Sequence, residues 1–157
     1  MKRLRKFLRK PHADRKRLIQ IAGWVGAVRL GLLILPFRTV QWLLSRMAHP
    51  GAFRRHHPPV DTVEMGRIVQ AVSTAGRYLA ANCLPQALAT HAILSRRGVP
   101  VLLRIGAARN TVGAFSAHAW VEHDGKVLIG QLEDLQRYVP LLPSGERLPL
   151  GRPARNR

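Results

Sequence analysis

The chain of 157 residues has one cysteine, eight acidic residues and few aromatics, and each scarcity closes off a class of answer. With Cys83 alone there is no internal disulfide, so the fold must rest on its core, and a reducing compartment suits it. Aromatics make up 6% of the chain and are not interleaved with the basic residues; with no nucleic-acid-binding signature either, DNA or RNA is a poor partner. No paired carboxylates, paired cysteines or glycine-rich phosphate loop compete as a site. His56-His57 lacks a second cluster at ligand spacing and reads as solvated linker, so no metal and no other cofactor is expected.

What is present is apolar bulk and positive charge. The hydrophobic share of 46% argues against disorder and suffices for one domain with a helical extension. Residues 1–60 carry 14 Lys/Arg against Asp14 alone, and residues 61–157 carry 12 against 7 acids. The excess therefore lies in the N-terminal arm, which suits nucleic acid, anionic lipid or an acidic protein surface; charge alone does not choose.

The arm opens with a basic run, Met1–Lys10, in which Leu4, Phe7 and Leu8 share a helical face. Pro11 and Asp14 mark a restart, with Asp14 placed as an N-cap. Leu18–Leu35 is nearly all apolar and at the threshold length for a membrane span. A signal peptide is disfavoured because Pro36-Phe37-Arg38 offers no small-residue cleavage site. Crossing a membrane would cost about 2.5–3.5 kcal/mol for Arg29 alone. A buried or partner-facing helix takes Arg29, Gln20 and the glycines more easily and is preferred, with membrane contact through Leu18–Leu35 as the alternative. Arg38–Met47 reads as a short amphipathic helix with Val40, Leu43, Leu44 and Met47 inward, and His49–Pro59 as linker. These signals divide the chain into a basic, largely helical arm (1–57), a core (58–142) and a loose tail (143–157).

Within the core, Asp61 with Glu64 forms a capping-box pattern. It opens a helix to about Tyr78 with Val63, Ile68, Val69, Val72, Ala75 and Leu79 inward. A second helix starts at Cys83, capped by Asn82, with Pro85 tolerated in its first turn and Gly98 at its end. The period then changes: strands are expected over Val99–Ala107, Ser116–His123 and Lys126–Gly130, the last two joined at Asp124-Gly125, a strong hairpin signal. Tyr138, Leu141 and Leu142 are expected to dock on this sheet. The fold class is α+β.

A thiol acts as a nucleophile only as thiolate, which a helix N-terminus and a neighbouring imidazole favour. Cys83 occupies such an N-terminus, and its own backbone N–H can serve as an oxyanion donor. His118, in the strand run Ala117-His118-Ala119-Trp120-Val121-Glu122, is the candidate base. A regular two-residue hairpin sets Gln131 opposite His118 and puts His118, Trp120 and Glu122 on one face with Val127, Ile129 and Gln131. Gln131 is thus the candidate that orients the ring; Glu133 lies further along that face and Asp134 points the other way. Against this stand plainer accounts. A single cysteine is commonly a small packed hydrophobe, a strand histidine is commonly structural, and His91, two turns into its helix, is given no role.

These residues, Asn82-Cys83-Leu84-Pro85-Gln86-Ala87-Leu88, Leu94-Ser95-Arg96-Arg97-Gly98-Val99-Pro100, Leu103-Arg104-Ile105-Gly106, Ala117–Glu122 and Asp124-Gly125, resemble the leader peptidases of lasso-peptide biosynthesis, in the transglutaminase-like branch of papain-fold cysteine proteases. The resemblance covers about residues 60–142. It implies a papain-like/transglutaminase-like core in which the helix bearing the cysteine packs on a small antiparallel sheet. It implies also a cytoplasmic peptidase that cuts the leader from a ribosomally made precursor peptide, alongside a separate leader-recognition protein and an asparagine-synthetase-like cyclase. By it, Cys83 is the nucleophile and His118 the base. The family's third member is an aspartate just after the hairpin, where this chain has Gly130 and Gln131; Gln131 is taken as its substitute, with Asp134 as the alternative. A non-catalytic scaffold and an acyl-transfer enzyme of the same fold are the competing functions.

Overall fold

The computed structural model describes residues 12–48, 60–109 and 113–141. The expected helix at Met1–Lys10, the linker before Val60, the tail from Leu142 and the inward side chain of Met47 lie outside the described residues and side chains. Four helices come first: α1 (His12–Ile34), α2 (Phe37–Ala48), α3 (Thr62–Tyr78) and α4 (Cys83–Arg96). Strands β1 (Leu102–Arg109), β2 (Phe115–His123) and β3 (Lys126–Ile129) follow, then a 3-10 turn at Leu135–Arg137 and the short β4 (Val139–Pro140). The sheet is antiparallel in the order β3-β2-β1-β4, and the architecture is the expected α+β.

The helix boundaries follow from local chemistry. Asp61 caps α3, accepting a hydrogen bond from the Glu64 N–H at 2.6 Å. The Glu64 side chain does not return to the cap. It accepts instead from Arg17 of α1 at 3.0 Å and from Arg97 at the end of α4 at 2.9 Å, tying three elements together. Asn82 has the extended backbone of an N-cap, but its side chain makes no capping bond. Helix α1 already runs at Asp14, which is therefore inside the helix and not its cap.

One core unites the two regions that sequence patterning divided. Ile21, Val25 and Val28 of α1 and Val40 and Leu44 of α2 lie in the same cluster as Ile68 and Val72 of α3, Leu88 and Ala92 of α4, and Ala119, Val121 and Ile129 of the sheet. The boundary expected near residue 57 thus does not fall between separate cores. Two inward assignments fail: Val63 and Leu43 face solvent, while Met65, one position off the chosen stripe, is buried. Helix α4 is buried on nearly every side, with α1, α2, α3 and the sheet all packed on it.

The Asp124-Gly125 turn forms as expected, both residues taking positive φ. The hairpin it closes is not regular. Glu122 pairs with Val127, yet Val121 pairs with Ile129, so an irregularity of one residue falls between Val121 and Glu122. An inserted residue reverses which face the strand beyond it presents. Ile129 consequently joins the helix-side core, where regular pairing had it on the face of His118. The fourth strand, β4, pairs Val139 with Ala107 and Pro140 with Gly106; only the docking of Tyr138 and Leu141 was anticipated there.

Candidate active site

Cys83 is the first residue of α4, a half-buried free thiol packed against the core. Its helix has Pro85 buried in the first turn, where no intrahelical N–H bond is forfeited. Gln86 reaches back from the same turn to donate to the Ala81 carbonyl at 2.7 Å, securing the loop that delivers the cysteine. Among the strands, β2 takes the largest share of the packing of α4, through Ala119 and Val121, so the cysteine's helix lies on the face of β2 opposite His118.

Strand alternation turns Ala119 and Val121 into the core and His118, Trp120 and Glu122 to the other face. On that face the side chains lock one another. Glu122 accepts from the Trp120 indole N–H at 2.7 Å and from Arg104 Nε at 3.1 Å. The fixed indole stacks with the His118 ring, with centroids 6.1 Å apart and planes 14° from parallel. The Tyr138 ring lies against His118 at 5.5 Å, tilted by 53°, and its hydroxyl lies 3.2 Å from Ser116 Oγ. Gly106 makes room for this: a Cβ there would meet the Trp120 ring at 3.0 Å and Tyr138 Cβ at 3.1 Å.

The decisive contact is between His118 Nε2 and the Gly130 carbonyl oxygen, 2.7 Å apart. A carbonyl only accepts, so Nε2 carries the proton and, in the neutral ring, Nδ1 keeps its lone pair. The backbone thereby fixes both the orientation of the ring and the nitrogen left to act as base. Gly130 has φ +85°, and a Cβ would lie 2.7 Å from the Ala119 carbonyl oxygen and 2.8 Å from Trp120 Cβ. Only glycine brings this carbonyl so close without displacing the strand.

The other candidates for orienting the ring are elsewhere. Gln131 is exposed, and its amide donates to the Leu132 carbonyl at 3.2 Å. The one-residue irregularity explains this, since the register that set Gln131 opposite His118 holds only from Glu122 to the turn. Asp134 is paired with Arg137 at 2.9 Å, and Glu133 is exposed. His91 lies on α4 away from this constellation, and burial pushes its imidazole below the ordinary value of 6.5. Among the described residues no group of three His, Cys, Asp or Glu side chains is placed to hold a metal ion.

Sequence reasoning named Cys83, His118, Trp120 and Glu122 but missed Gly130 and Gly106. A signal existed for both: a glycine within or at the end of a strand often marks a close backbone approach. Residues 31–143, well over half of the chain, match the family model described as the transglutaminase-like superfamily. No curated protein and no solved structure matches the chain.

Proposed function

Because the chain belongs to the transglutaminase-like superfamily, whose chemistry is that of cysteine peptidases or acyl-transfer enzymes, we propose that it is a thiol peptidase that removes the leader from a lasso-peptide precursor. The observation that carries the proposal is the tautomer of His118, held by the Gly130 carbonyl with Nδ1 as the basic nitrogen. The ring is held further by its stack with the Trp120 indole and its contact with the Tyr138 phenol.

In this reaction Nδ1 takes the proton of the Cys83 thiol, and the sulfur attacks the scissile carbonyl. The tetrahedral oxyanion is met by the Cys83 backbone N–H at the positive end of α4. Collapse breaks the C–N bond, and the imidazolium returns its proton to the departing amine, leaving a thioester. A water then gives a proton to Nδ1 and attacks the thioester; release of the acid restores the thiol. The His118 ring contacts Gly130, Trp120 and Tyr138 and not Cys83, so this reaction requires the sulfur and the ring to close on one another when substrate binds. The Gly130 carbonyl supplies orientation with no full negative charge, so it stabilises the imidazolium less than a carboxylate would.

The assignment to leader removal rests on the resemblance of the cysteine, Arg-Arg-Gly-Val-Pro and His-Ala-Trp-Val-Glu blocks to lasso leader peptidases. It includes a separate leader-recognition protein and a cyclase as partners. The test is to incubate the full chain with a precursor peptide and its leader-binding protein and to weigh the products. Cleavage adds one water across a single bond, and Cys83→Ala and His118→Ala each reduce it at least about a thousandfold. Processing undiminished in Cys83→Ala would leave a scaffold; a product that has lost ammonia and joined an amine would indicate acyl transfer.

A further inference from the structure

Helix α1 is apolar on two flanks, and only one of them is used by the fold. The inner flank, Leu18, Ile21, Val25 and Val28, is buried. The outer flank runs through Ile19, Gly23, Ala27, Leu30 and Ile34, spaced at three or four residues and all exposed. It ends at the corner with α2, where Leu33 and Ile34 are 76% and 70% exposed and Trp42 is 46% exposed. Such a helix is long and apolar enough to cross a membrane by composition. Its inner flank, however, closes the core over α3 and α4, and withdrawing it to span a bilayer would open that core to water.

Charge distinguishes what covers the outer flank. Residues 16–48 hold five Lys/Arg and no Asp or Glu, and residues 1–11 add six Lys/Arg, again with no acid. Arg17 is committed to Glu64, but Lys16, Arg38 and Arg46 are exposed. The Arg46 guanidinium lies 5.5 Å from the centre of the Trp42 ring, a cation and an amphipathic ring side by side. A second copy of a chain with net charge +18 would meet this flank with like charge. Beyond Lys16 and Gln20 at its start, the flank offers only aliphatics and small residues, which demand no particular partner surface. The helix is apolar on both flanks and not itself amphipathic, so with its inner flank in the core it is the exposed aliphatics, Trp42 and the nearby cations that suit this side to an anionic headgroup surface.

We propose that the outer flank of α1, with its corner at α2, seats the protein flat on an anionic lipid surface without crossing it. The test uses the full chain with vesicles of phosphatidylcholine alone or with about 30% phosphatidylglycerol, the anionic fraction supplying the surface potential. The chain is expected to sediment with the anionic vesicles only, more weakly as salt rises, and to be released by alkaline carbonate. The double variant Leu33→Glu/Ile34→Glu, at two exposed positions, should lower sedimentation at least tenfold with an unchanged far-ultraviolet spectrum and melting profile. Equal sedimentation of chain and variant, no sedimentation with either vesicle, or resistance to carbonate would each overturn the proposal. So would a dimer that the variant disperses and vesicles leave untouched, since a second copy would then be the occupant.

Discussion

On one face of β2, Ala119 and Val121 are closed into the common core with α4 and make only apolar contacts of consequence. On the other, His118, Trp120 and Glu122 are joined by a stack, a 2.7 Å indole–carboxylate bond and a 2.7 Å ring–carbonyl bond. Trp120 is only 4% exposed, nearly as buried as Val121 at 0%, so burial alone does not separate the faces. What differs is direction. Dispersion and the hydrophobic effect hold the first face together without specifying angles, whereas hydrogen bonds fix the second at the level of individual atoms. The first face is therefore to be broken by volume or charge, and the second by small displacements.

The largest expected effect is on the core face. Val121→Asp buries a carboxylate with no partner and should cost more than about 4 kcal/mol; urea unfolding should find little or no native chain. A cooperative transition near that of the wild type would mean that the helix-side contacts are not what holds the sheet. Next comes Gly130→Ala, which leaves the chain folded but forces a Cβ against the Ala119 carbonyl and the Trp120 side chain. It should cost roughly 1–3 kcal/mol of stability and lower kcat at least tenfold while KM changes little, because the ring loses its anchor and not its substrate contacts. Unchanged kcat with reduced stability would make the glycine merely structural.

The smallest effect concerns His91, the histidine on the helix side. Burial lowers its imidazole below 6.5, so the folded chain resists its protonation. Above that value the ring is neutral in both states and its contribution is full. As pH falls below it, the unfolded chain takes up the proton first, and stability is lost toward the folded value. His91→Gln should therefore flatten the difference between urea midpoints measured at about pH 7.5 and about pH 5.5, which bracket the ordinary histidine value. An identical pH slope in the variant would remove His91 from the account.

Much of this architecture was legible because the signals were local. Asp61 before an apolar helical stripe, Pro85 in a first turn, and Asp-Gly between alternating runs each act over a few residues, and α3, α4 and the hairpin followed. The paired placement of Trp120 and Glu122 with His118 was likewise a matter of period. Some failures are local, such as the cap placed at Asp14 and the inward Val63 and Leu43, but those that moved the site are non-local. Nothing near Leu128 announces that the strand slips by one residue, yet that slip moved Ile129 into the core and left Gln131 in solvent. The two flanks of α1 are alike in composition, so only the packing of α3 and α4 reveals which one the protein keeps. Val139-Pro140 is too short to show an alternation, and its pairing with β1 depends on where the chain returns.

The oxygen that holds His118 belongs to the main chain, and this bears on how such a centre is inherited. A side-chain triad member can be lost by one change of codon; an amide oxygen persists through every substitution and can only be re-aimed. A side chain at position 130 would meet the Ala119 carbonyl and Trp120, so the hydrogen there is what keeps that oxygen aimed at the ring.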